Sequence, residues 1–167
     1  MNALPPRSPE MANEILYWED MRDAGALEIG SHTFTAEDII AFARQFDPQP
    51  FHVDPEAAKE SFFGGLVASG WHTCAVAMRL MVDKYVNRSA SLGSPGLDNI
   101  RWLLPVRAGD TITYRRVITS ARASESKPGI GLVQSRWEAV NQRGDLVMTM
   151  EGWGMFRRRP AQASAPG

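Results

Sequence analysis

The feature that most limits what this chain can fold into is a change of hydrophobic period at the Gly and Pro cluster of residues 93–96. Before it lies the longest apolar stretch, "LVASGWHTCAVAMRLMVDKYV", which from Gly70 to about Val86 is apolar nearly all round and carries small residues at Cys74, Ala75 and Ala77. After it the pattern turns to strands: "LDNIRWLLPV", "TITYRRVITSAR", "IGLVQSRWEAVN" and "LVMTMEGWGMFRR". Turn signals separate them at Ala108-Gly109-Asp110, Lys127-Pro128-Gly129 and Asn141-Gln142-Arg143-Gly144-Asp145. In the third segment Val133, Trp137 and Ala139 share one face, while Gln134, Arg136 and Glu138 take the other. Strands joined by short turns pair antiparallel, which excludes a doubly wound parallel sheet. A sheet with one apolar face needs a cover, and the only long apolar helix is 70–86. The expected class is therefore α+β: an antiparallel sheet curved around one long central helix that lies inside the protein.

Upstream, "ALEIGSHTFT" (26–35) reads as a short extended segment. It leads into "TAEDIIAFARQF", where Thr35 can cap a helix with acidic residues in its first turn. Ile39, Ile40, Phe42, Ala43 and Phe46 fall near one face of that helix. It should stop at Asp47, because a residue before proline is pushed out of the α region. "DPEAAKESFFGG" then gives a second short helix running into a glycine break. Prolines at 5, 6 and 9 predict a loose arm over 1–13, a single domain over 14–157, and a disordered tail over 158–167.

A chain of 167 residues with 44% hydrophobic and 22% charged residues and a formal charge of -1 has the composition of an ordinary globular protein. That composition argues against a nucleic-acid partner. No run approaches the roughly 20 apolar residues that span a bilayer, and residues 1–10 hold no apolar signal core, so the expectation is a cytoplasmic protein without a membrane partner. Cys74 is the one cysteine, which rules out an internal disulfide or a thiolate metal cluster.

The chemistry-bearing stretch is "FARQFDPQPFHVD". Asp47 ends a helix where the macrodipole places partial negative charge, which favours a raised proton affinity for its carboxyl. Pro48 and Pro50 restrain the exit and can hold His52 at a fixed position relative to Asp47. Such a pair suits general acid–base work. It also suits a plain turn followed by a loop histidine, and the spacing alone does not separate the two. A metal site from Asp47, His52 and Asp54 lacks a second histidine at helical spacing.

In "GGLVASGWHT", Gly70 opens the apolar helix, so its first N–H groups could hold a developing oxyanion; a plain start capped by Ser69 reads equally well. His72 reads as a buried, hydrogen-bonded structural residue. His32 reads as structural or exposed, and Cys74 as core.

Taken together, "FARQFDPQPFHVDPEAA", "FGGLVASGWHT" and "IRWLLPVRAGDT" resemble, in that order, the MaoC-like dehydratases, the hotdog-fold family that contains the (R)-specific enoyl-CoA hydratases. The resemblance covers roughly residues 15–157. The family motif couples an Asp to a His five positions on in a "D-x-N-P-x-H" type sequence, as Asp47 and His52 do. Two departures stand out: Gln49 occupies the asparagine position, and Ser69-Gly70-Trp71 stands where typical hydratases read "HGM".

The resemblance implies a hotdog fold and reversible hydration of a trans-2-enoyl thioester. Asp47 and His52 would activate water, the Gly70 N–H would stabilise the enolate oxygen, and no metal or organic cofactor would take part. It further implies Gln49, Phe51, Ser69 and Trp71 as substrate-binding residues, with Phe62 and Phe63 as candidates to line the acyl tunnel. The implied partners are acyl-CoA or acyl carrier protein as substrate carrier and a second copy of the chain, in a homodimer or higher homo-oligomer with the pantetheine arm between subunits. Arg101, Arg107 and Arg157–Arg159 are candidates for the CoA phosphates. A hotdog thioesterase is the alternative, although Gly70 to Val82 holds no Asp or Glu; a non-catalytic hotdog subunit is the other.

Overall fold

A computed structural model describes residues 14–160, and the arm expected at 1–13 lies outside them. A one-turn helix α1 (Trp18–Arg22) precedes strand β1 (Leu27–Thr33) and helix α2 (Ala36–Phe46). Two more short helices follow, α3 (Pro50–Val53) and α4 (Pro55–Lys59), and then the long helix α5 (Gly70–Lys84). Strands β2 (Gly96–Trp102), β3 (Thr111–Ala123), β4 (Ile130–Val140) and β5 (Leu146–Arg157) complete the order. They form a five-stranded sheet, β1-β3-β4-β5-β2. Every neighbouring pair in it is antiparallel. This is the α+β hotdog arrangement: one sheet curled about one long helix.

Local chemistry accounts for the elements that position the site. Thr35 caps α2 by accepting the Asp38 N–H at 3.1 Å, and the helix ends where expected, with Asp47 as its C-cap. Gln49 stands just before the single turn of α3, with Pro50 at its first position. The exit that the prolines were expected to stiffen as a loop is thus a helical turn. Asp54 caps α4 by accepting the N–H groups of Glu56 (2.9 Å) and Ala57 (3.3 Å).

The alternation expected for β4 is realised: Val133, Ser135, Trp137 and Ala139 are buried while Gln134, Arg136 and Glu138 are not. Tyr114 and Ile112 of β3, Met148 and Met150 of β5, and Ala77 and Met81 of α5 meet that face to form the core.

Three expectations need correction. The central helix is not enclosed all round: His72, Thr73, Ala77 and Met81 are buried, but Trp71 is 57% and Met78 55% exposed, because a single sheet curls around one side only. Phe46 is exposed, its ring lying against that of Phe42 at 5.0 Å rather than in the core. The first of the four long strand segments stops at Trp102, and Leu103–Val106 runs as irregular wall.

Arg158 and Arg159 are tied to the domain. Arg158 N–H donates to Gly129 O (2.9 Å), Arg159 N–H to Glu19 Oε2 (2.9 Å), and the Arg159 guanidinium holds Asp20 at 2.6 Å. Both guanidiniums also stack on aromatic rings, Arg158 over Trp18 and Arg159 over Tyr17, and so clamp α1 to the end of β5 instead of standing free for phosphate. Residues 161–167 of the expected tail lie outside the described residues. Among the described residues no helix is long and apolar enough to cross a membrane.

Candidate active site

The site is built where three segments meet: the end of α2, the turn of α3 and the start of α5. Val67 joins the last two. Its N–H donates to Phe51 O (3.3 Å), and its carbonyl lies 2.7 Å from His52 Nδ1. A carbonyl can only accept, so Nδ1 carries a hydrogen and Nε2 is the ring nitrogen turned toward the site. That Nε2 faces Asp47 Oδ2 at 3.3 Å. His52 is buried, and the Asp47 side chain keeps 19% exposure.

Asp47 is held at both oxygens. Gln49 Nε2 donates to Oδ1 at 2.8 Å, and Ser69 Oγ donates to Oδ2 at 2.7 Å. Burial pushes the Asp47 carboxyl upward, but the hydrogen bonds from Ser69 and Gln49 and the charge of His52 together outweigh it and hold the pKa below its ordinary value. This reverses the expectation of raised proton affinity drawn from the helix C-terminus. The dipole of an exposed last turn is a smaller effect than two direct hydrogen bonds to the ionised form.

Ser69 is fully buried and its hydroxyl is committed twice, donating to Asp47 and accepting the Trp71 N–H at 3.2 Å. It therefore positions Asp47 on the N-terminus of α5 at the wall of the hollow. His72 N–H and Thr73 N–H both go to Ser69 O, at 3.0 and 3.2 Å. Among the described residues the Gly70 N–H makes no protein hydrogen bond, which leaves it, at the positive end of a 15-residue helix, free to meet an anion. Glycine is required there for space: a Cβ on Gly70 would overlap the indole of Trp102, whose Nε1 donates to Gly70 O at 3.0 Å.

These groups open on a hollow of about 560 Å3 lined by Asp47, His52, Gly70, Trp71, Trp102 and Met148, among others. Phe51 and Phe63 pack on each other at 5.1 Å along it, and Phe51 edges onto His52 at 4.5 Å. Phe62, 99% exposed, stands at the rim of the hollow. Arg107 lies beside the hollow with its guanidinium on Phe63 O (2.7 Å).

Trp102 is the site residue that sequence reasoning missed. It belonged to a strand segment, and only its place at the end of β2, over Gly70, brings it to the hollow. Asp54, weighed as a metal ligand with Asp47 and His52, is spent as the α4 cap.

The other single residues divide. His72 is buried as expected and stacks on Phe42 at 4.5 Å, but its Nδ1 has no partner, and burial lowers its pKa to about 4. His32 is half-buried against Phe34, and its Nε2 also lacks a partner. Cys74 Sγ lies 3.6 Å from Met148 Sδ, and burial raises its thiol pKa, as befits a core cysteine.

Comparison with known proteins gives a consistent result. The model of the MaoC like domain matches residues 26–135, more than half of the chain. Protein MaoC of Klebsiella aerogenes is 35% identical over 100 residues, which cover 59% of this chain and 29% of that relative's length. The 3-hydroxyacyl-thioester dehydratase Z of Mycobacterium tuberculosis is 31% identical over 70% of this chain and 78% of its own. Among solved structures, a MaoC-like dehydratase from Rhodospirillum rubrum superposes with a TM-score of 0.78 at 38% identity, over 87% of this chain and 99% of the other.

Proposed function

The chain belongs to the MaoC-like domain family, and from that premise we propose that it catalyses the reversible hydration of a trans-2-enoyl thioester to the (R)-3-hydroxyacyl thioester. The observation that carries this reading is the pairing of a carboxylate with a free imidazole nitrogen, Asp47 Oδ2 and His52 Nε2 at 3.3 Å, beside the unpaired N–H of Gly70.

A thioester polarises its conjugated double bond, so the protein has to supply a held water, a proton relay and an oxyanion donor. The attacking water would be held jointly by Asp47 and His52. Its proton passes to His52 Nε2 as its oxygen bonds C3, and the Asp47 carboxylate stabilises the imidazolium that forms. The electron pair of the double bond moves onto the thioester oxygen, where the Gly70 N–H holds it. The imidazolium then returns one proton to C2, so the elements of one water are added and the site is restored. This route needs no metal or organic cofactor. Ser69 and Gln49 act by holding Asp47, while Phe51, Phe63, Trp71 and Trp102 shape the acyl side of the hollow.

The same reading makes the working unit a homodimer. The apolar side chains of Met78, Leu97, Trp102, Leu103 and Leu104 are 44–55% exposed. With the unpaired edge of β2 they offer a patch of the kind that a second copy covers. The carrier is CoA or acyl carrier protein. The test is incubation with a trans-2-enoyl-CoA and chiral analysis of the product: the (R)-3-hydroxyacyl thioester is expected, and the (S) form or no adduct would count against the reading.

A further inference from the structure

A second hollow, about 590 Å3, lies on the other side of Trp71, between α5 and the inner faces of β4 and β5. Its walls are mostly apolar, with Trp71, Met78, Trp137, Met150, Trp153 and Phe156 among them. Within this lining stands Arg116, a side chain on β3 that is only 2% exposed.

A guanidinium so deep is ordinarily matched by a carboxylate, since an unpaired buried charge is strongly unfavourable. No ion pair among the described residues involves Arg116, and its Nε has no hydrogen-bond partner. The acids on the neighbouring strands point the other way. Glu28 on β1 and Glu138 on β4 share the face of Arg115, opposite to Arg116, as does Glu151 on β5, and Glu138 and Glu151 are taken by Arg115 and Arg136.

What Arg116 does have is an aromatic floor and polar neighbours. Its Cζ lies 4.4 Å above the Tyr85 ring. The Tyr85 hydroxyl accepts the Trp137 Nε1–H at 3.3 Å, so its own proton is available to the hollow. Ser135 is buried beside them and lines the same wall. Two donors next to a hydroxyl in an apolar surround suit one carboxylate. A phosphate, with its double charge, would call for more donors than the hollow offers. Trp71 borders both this hollow and the one holding Asp47 and His52.

We propose that Arg116, with Tyr85 and Ser135, binds a carboxylate at the far end of an apolar acyl chain, so that the protein favours ω-carboxylated acyl thioesters over methyl-ended ones. This rests on the proposed thioester chemistry for its choice of ligand. The chain runs past Trp71 beside α5, and its terminal carboxylate takes the place of the missing counter-ion. Tyr85 sits at the C-terminal end of α5, so the second carboxylate belongs well beyond the reacting carbons.

The test uses saturated medium-chain acyl-CoAs, ending either in a carboxylate or in a methyl group, bound to the wild type and to Arg116→Met, Arg116→Lys and Tyr85→Phe and followed by titration calorimetry. The expected result is a wild-type preference for the carboxylated chain of about tenfold or more, as for a charge-assisted hydrogen bond in an apolar site. That preference should vanish in Arg116→Met, survive in part in Arg116→Lys and weaken in Tyr85→Phe, so the outcome does not hang on one variant folding. Equal affinity for both chains, or a preference unchanged in Arg116→Met, would overturn the proposal. So would an Arg116→Met protein that changes oligomeric state while keeping its ligand preference, which would mean that the counter-ion comes from a second subunit. Hydration of the matching unsaturated thioesters separates the two readings: hydration without carboxylate preference sinks only this proposal, and carboxylate preference in binding without any hydration sinks only the hydratase.

Discussion

His52 Nε2 stands 3.3 Å from Asp47 Oδ2 while the opposite ring nitrogen, Nδ1, is fixed on the Val67 carbonyl at 2.7 Å. The second contact decides what the first can do. With the hydrogen committed to Nδ1, the pair presents a free base beside a carboxylate in the neutral state, and an imidazolium–carboxylate hydrogen bond once a proton has been taken.

The pH profile should reflect the hydrogen bonds to Asp47. A carboxyl whose folded pKa is lowered contributes stability above its unfolded value, and that contribution is lost as pH falls through the folded value. The acid limb of kcat/KM that belongs to Asp47 should therefore lie below the ordinary carboxylate range. Ser69→Ala and Gln49→Leu should each move that limb to higher pH, with Ser69→Ala also costing about 1 kcal/mol of stability for the lost helix cap. Rate profiles of the variants, with thermal melts alongside, check both effects.

At Gly70, Ala should be poorly tolerated. The added methyl group overlaps the Trp102 indole, so the cost should be about 1–3 kcal/mol in stability, with kcat falling as the start of α5 shifts. Combining Gly70→Ala with Trp102→Leu should recover much of the stability. Melts and steady-state rates of the single and double variants test this.

His72 predicts an acid sensitivity of the fold. Its folded pKa of about 4 lies below the unfolded value of 6.5, so the unfolded chain takes the proton first. Stability is then full above pH 6.5 and falls between 6.5 and about 4, by at most roughly 3 kcal/mol. His72→Phe, which keeps the stack on Phe42, should flatten denaturation midpoints across that window.

How much was legible from the chain depends on the range of the forces involved. The Thr35 cap, the stop of α2 at Asp47 and the alternation of β4 follow from neighbours within a few residues, and they stand as expected. The pKa of Asp47 was read in the wrong direction because the decisive donor, Ser69, lies 22 residues away. The exposure of Phe46, Phe62 and half of α5 depends on how far one sheet reaches, which periodicity does not report. Arg116 was overlooked, although the two-residue period through Ile112 and Tyr114 puts it on the inner face, and a charge on such a face is itself a signal.

The most direct measurement follows loss of the conjugated enoyl-thioester absorbance together with free thiol, for the wild type, Asp47→Asn and His52→Ala, over a panel of straight, branched and dicarboxylic trans-2-enoyl-CoAs. The wild type should consume the enoyl group without releasing thiol, and each variant should be slower by about 10²–10⁴-fold. Thiol release by the wild type, or hydration that survives in both variants, would contradict the account.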